Sequence, residues 1–98
     1  VSMPTFPPME LSTIANTAVG FSALAAATTG DQNTAVGTNA LLTSSVGARN
    51  TAIGNGALTL ATTGNYCTAV GHLALAAATT AVNNTAVGSL ALTTAVST

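Results

Sequence analysis

Few side chains in this 98-residue chain can do chemistry: Cys67, His72, Glu10, Asp31 and Arg49 stand out. Catalysis needs a positioned acid, base or nucleophile, and Cys67 with His72 is the one nucleophile–base pair on offer. Residues 68–71 separate them, and extended chain at about 3.3 Å per residue puts the two about 16 Å apart. That is far outside hydrogen-bond reach. A metal site takes three or four ligands, and the sequence contains no such cluster. The glycines come singly, not as a phosphate-binding loop. Asp31 and Arg49 fall at adjacent positions of neighbouring repeats, so the expectation is a surface pair worth about 0–1 kcal/mol. Asn83-Asn84-Thr85 matches a glycosylation acceptor, a tripeptide that arises often by chance. The expectation is a protein that is no enzyme and takes no cofactor and no metal.

Composition narrows the classes further. Only 3% of residues are charged and the formal net charge is −1, where an ordinary soluble domain carries roughly 25% charge. One Arg and no Lys exclude nucleic-acid binding by phosphate neutralisation. Disorder is not expected of a chain that is 48% hydrophobic. No apolar stretch approaches the roughly 20 residues of a membrane span. A single cysteine makes no intrachain disulfide. The opening Val-Ser-Met-Pro lacks the basic and apolar regions of a signal peptide, and a start without Met is expected of a processed or partial chain. The surface is therefore expected either to be made of neutral Thr, Ser, Asn and Ala or to be covered by copies of the same chain.

The elements behind these residues are set by an internal repeat. Asn-Thr-Ala-Val-Gly begins at Asn16, Asn33 and Asn84, with near copies at Asn50 (Ile53 for Val) and Cys67 (Cys for Asn). Successive starts are 17 residues apart without insertion. Ala-Leu follows at Ala23-Leu24, Ala40-Leu41, Ala57-Leu58, Ala74-Leu75 and Ala91-Leu92. Gly30, Gly47 and Gly64 mark the end of a unit, with Ala81 in that place in the fourth. The chain therefore divides into an extended leader, residues 1–15, and a repeat region, residues 16–98, with units 16–32, 33–49, 50–66, 67–83 and 84–98. A strict period makes each unit one coil of a solenoid.

Thr and Val alternate in the repeated pentapeptide, which predicts a strand with both on one side. Gly20, Gly37, Gly54, Gly71 and Gly88 are expected at corners, where positive φ is cheap. The Ala-rich text after each corner has high helix propensity. Strands stack about 4.8 Å apart, however, while helices need 8–10 Å. The expected fold is all-β, a β-solenoid or β-roll of five coils, with a strand plus short-helix solenoid as the alternative. Two inner ladders follow from it: Val19, Val36, Ile53, Val70 and Val87, and Leu24, Leu41, Leu58, Leu75 and Leu92. Ala18, Ala35, Ala52, Ala69 and Ala86 are expected on a flat face of minimal bulk. The recurrent Asn has two open readings, an amide ladder linking coils or simple suitability for a corner. Cys67 reads as a small stand-in within that row, and His72 as a variable corner residue.

The unit Asn-Thr-Ala-Val-Gly-x-x-Ala-Leu, with its Thr-Thr-Gly turn (Thr28-Thr29-Gly30, Thr62-Thr63-Gly64), resembles repeats of phage tail-fibre and bacterial surface-fibre proteins. Its strand text is also similar to the Ser-Val-Ala-Ile-Gly coils of trimeric autotransporter adhesin heads, which are β-rolls. The likeness covers residues 16–98, and the 17-residue spacing is longer than the adhesin coil. The resemblance implies an extracellular protein on a cell surface or virion.

Residues 1–15 hold all three prolines and both methionines. Pro4, Pro7 and Pro8 favour an extended path. Met3, Phe6, Pro7, Pro8, Met9, Leu11 and Ile14 form a candidate self-assembly arm, either capping the first coil or docking on a neighbour. The leading expectation is a structural subunit of a self-assembling fibre, joined head to tail through this arm and the open solenoid ends. Its partners would be copies of itself and surface glycans. A shaft or head segment of a trimeric fibre is the alternative. An ice-binding role for Thr17, Thr34, Thr51, Thr68 and Thr85 ranks lower, because alternation puts Thr on the Val side, expected to face inward.

Overall fold

A computed structural model describes residues 15–26, 29–44 and 46–93. The docking-arm residues Met3 to Ile14 lie outside that set. Five strands, β1 (Thr17–Val19), β2 (Thr34–Val36), β3 (Thr51–Ile53), β4 (Thr68–Val70) and β5 (Thr85–Val87), recur every 17 residues. They pair in parallel in chain order, each residue facing its counterpart one repeat on, as Thr34 faces Thr51 and Ala35 faces Ala52. The molecule is an all-β parallel β-solenoid, and no helix occurs among the described residues.

The Ala-rich segments form a series of tight turns instead of helices. In the third coil the Ala57 N–H donates back to the Gly54 carbonyl, and the Thr59 N–H to the Gly56 carbonyl. The intervening Leu58 and Leu60 N–H groups donate across to Ala74 and Ala76 of the next coil, at 2.9 and 3.1 Å. Donors thus alternate between the coil's own turn and its neighbour. A helix would aim every N–H along its own axis and leave the stack unbonded. The alternation requires left-handed residues at every second place, and Leu41, Leu58 and Leu75 have φ of 51–52°. That backbone costs an L-residue about 1–2 kcal/mol. Burying the leucine returns about 1.5–3 kcal/mol, so burial wins narrowly at Leu41, Leu58 and Leu75, which are fully buried.

The strand faces the opposite way from the sequence expectation. Ala35, Ala52 and Ala69 are completely buried and Ala86 nearly so, while Val19, Ile53 and Val87 are exposed and Val36 and Val70 half-buried. The valine column is therefore outside and the alanine column inside, except that Ala18 on the first coil is exposed. Thickness is the physical reason. Packed sheets with large side chains on both walls stand about 10 Å apart, but a 17-residue coil closes on a narrower core. Leu41, Leu58 and Leu75 fill that core from the turn wall, leaving room for no more than a methyl group on the strand wall. A Val facing a Leu would overpack it. Leu24 is buried as well, whereas Leu92, on the last described coil, is 52% exposed.

Corner Gly37 shows why glycine recurs after the strand. Its φ is +128°, and a Cβ there would lie 2.7–2.8 Å from the carbonyl group of Gly54 on the next coil. At Gly47 the backbone is unexceptional, but a Cβ would stand 2.4 Å from the Gly64 carbonyl oxygen. Close stacking, not φ, demands glycine at that second corner.

Candidate functional site

Three side-chain rows at the coil corners and on the strand face could carry function. The first is structural. Asn33 sits at the start of its coil, where its Nδ2 donates to the Gly47 carbonyl at 2.8 Å. Its Oδ1 accepts from the Asn50 N–H at 2.8 Å. One amide therefore closes its own coil and ties it to the next. Asn50 repeats this with Gly64 and Cys67, at 2.7 and 2.8 Å. Of the two readings of the Asn row, the linking one describes the geometry, although the amides bond backbone groups and not each other. Asn33 and Asn50 are buried, where unpaired polar groups would be costly.

Cys67 occupies the same row. It is buried, and its Sγ donates to the Ala81 carbonyl at 3.3 Å, the bond that Nδ2 makes at Asn16, Asn33 and Asn50. A thiol has no second acceptor arm, so it offers the Asn84 N–H no amide oxygen. His72 is exposed on a corner just past β4. Among the described residues, no group of three His, Cys, Asp or Glu side chains could hold a metal ion. Nor is any helix there long and apolar enough to cross a membrane.

The second row precedes the Asn row: Gln32, Arg49, Tyr66 and Asn83, all exposed and all with φ of 58–63°. Arg49 Nε donates to Gln32 Oε1, and its Nη1 to the Tyr66 hydroxyl, both at 3.0 Å. The guanidinium also lies 5.5 Å from the Tyr66 ring centre. Arg49 is thus engaged along its own row, and the expected pairing with Asp31 is replaced by these contacts. Only the Arg49 backbone N–H reaches Asp31, at its carbonyl. The sequence reading missed this row because its members share no residue type. Only their identical offset of one residue before the Asn position would have revealed it.

The third feature is the outer strand face. Thr34, Thr51 and Thr68 stand beside Val36, Ile53 and Val70, pointing out in register. No charged residue lies on it. Val19 is 58% and Val87 70% exposed, and Phe21, just past the corner of the first coil, is 78% exposed. The expected Ala face is hidden, so any partner meets Thr and Val instead. The objection that Thr points inward falls with it.

Fold and rows together define a repeat protein, a parallel β-solenoid of 17-residue coils. Comparison with family models, with curated proteins and with solved structures gave no match.

Proposed function

We propose that the chain is a structural, non-enzymatic segment of a homo-oligomeric extracellular fibre whose copies cover one another's Thr–Val faces. The observation that carries this reading is the outer face itself, an uncharged, in-register, half-apolar sheet surface. Taking one half-exposed Val or Ile fully out of water contributes roughly 1 kcal/mol. Association costs about 4–15 kcal/mol in lost freedom. A single coil is far too little, but five coils contributed by each copy reach the required range. The repeat thus multiplies a weak contact into a usable one.

The placement of the chain on a cell surface or virion rests on its resemblance to tail-fibre and adhesin repeats. Within that frame, side-by-side packing as in a trimeric fibre uses the Thr–Val face, and head-to-tail joining uses the arm of residues 1–15. Surface glycans, proposed as further partners, find donors, acceptors and an aromatic ring on the Gln32–Arg49–Tyr66–Asn83 row. Sedimentation equilibrium of the purified chain tests the proposal. A trimer or larger species is expected, and a monodisperse monomer at micromolar concentration overturns it.

The outward Thr column favours one second reading, an ice-binding face. It uses the same surface in the monomer, so the two readings exclude each other. Thermal hysteresis together with a monomeric state would replace the fibre reading.

A further inference from the structure

One apolar feature is used by neither the core nor the outer strand face. On the turn side of the third to fifth coils lies an open groove of about 460 Å³, walled by Leu60, Leu73, Ala76, Ala77 and Leu90. Leu60 and Leu90 are 45% and 55% exposed. The groove is local because the repeat varies at this point. The column that supplies Leu73 and Leu90 begins with Ser22, Asn39 and Gly56, and Leu60 stands where other coils have Ala26, Thr43 and Ala77. Gly56 makes the near wall low. A Cβ there would fall 2.6 Å from Leu73 Cδ2, so the leucine lies over the bare glycine.

We infer that this groove receives the Phe6-Pro7-Pro8-Met9 stretch of a second copy of the chain. The occupant is chosen by chemistry and by reach. The leader carries Met3, Phe6, Met9, Leu11 and Ile14 with Glu10 as its one charge, and the groove wall carries none. Prolines pre-set an extended, low-entropy path, the form in which Pro-rich segments enter apolar grooves. The chain's own groove is poorly placed for its own leader. Ala15 enters at the corner before β1, while the groove lies half a circuit round the coil and about 14 Å up the stack at its centre, three strand spacings on. The nine residues from Phe6 to Ala15 span at most about 30 Å, nearly all of it consumed by that wrap. A neighbouring copy imposes no such path. The contact extends the fibre reading by adding a second joint between copies, independent of the Thr–Val face.

Cross-linking of full-length chains tests it. A Phe6→Cys chain and a mass-tagged Leu90→Cys chain are mixed and treated with a short bismaleimide; Cys67 is 1% exposed and serves as an internal background. A mixed dimer is expected at a yield at least fivefold above that with Thr63→Cys, an exposed position away from the groove. Equal yields at the two positions overturn the docking. So does a Phe6→Cys/Leu90→Cys chain that closes only on itself at concentrations where the unmodified protein is oligomeric. An oligomer without the cross-link removes the arm contact and leaves the Thr–Val reading standing. A cross-link in a chain that sediments otherwise as a monomer does the reverse.

Discussion

Asn50 concentrates three bonds in one buried residue. Its N–H donates to Asn33 Oδ1, its Oδ1 accepts from the Cys67 N–H, and its Nδ2 donates to the Gly64 carbonyl. Asn50→Ala would strand two buried backbone groups, each costing about 1–3 kcal/mol. A loss of about 2–4 kcal/mol is expected in chemical denaturation. A loss below 1 kcal/mol would mean that water replaces the amide. Ser44 is the opposite case. Its hydroxyl is buried and finds no partner, in a column where Ala61 and Ala78 are fully buried. Ser44→Ala keeps the packing and removes the unpaired oxygen, so a gain of about 1 kcal/mol is expected by the same measurement. The recurrent Asn pointed to a link between coils, but its backbone partners, and the unpaired Ser44 hydroxyl, are visible only in the fold.

At the scale of the element, each coil is a short strand, a glycine corner and a turn wall, and the turn wall supplies nearly all the apolar volume. Leu58 has coils on both sides and is fully buried, whereas Leu92 is half exposed. Leu58→Ala is expected to cost about 2–5 kcal/mol and Leu92→Ala clearly less. Thermal unfolding of the two variants side by side checks the order, and equal losses would show that the core is not graded along the stack. The coil was largely legible in the sequence. Its period, strand and corner glycine follow from Asn-Thr-Ala-Val-Gly, and the stacking distance disfavours a helix. The left-handed leucines were not legible. Leucine is a poor residue for positive φ by any local rule; burial offsets the cost at Leu41, Leu58 and Leu75, while the half-exposed Leu90 and Leu92 take the same conformation because the repeated turn wall imposes it.

For the whole molecule the question is which surface meets other copies. The outer strand face is continuous across the stack because every repeat is in register and none carries a charge there. Ile53→Lys places one ammonium at its centre, on a side chain that is 40% exposed. The fold should tolerate it at a cost of about 1 kcal/mol, while an assembly must either bury the charge or separate. Dissociation to a monomer with an unchanged circular dichroism spectrum is the expected outcome. An oligomer of unaltered size would mean that copies meet elsewhere.

The sequence by itself determined the period, the parallel stacking and the scarcity of groups for acid, base or metal chemistry. All three follow from repeated text and a short inventory of side chains. The direction in which each strand faces was decided only by the tertiary structure. Alternation puts Thr and Val together on one side of the strand but leaves open which side is inner. The width of the closed coil settles it, because leucine on one wall leaves space for alanine alone on the other. The row of Gln32, Arg49, Tyr66 and Asn83 is likewise a product of stacking. Residues 17 apart in the chain become neighbours only when each coil closes on the one before.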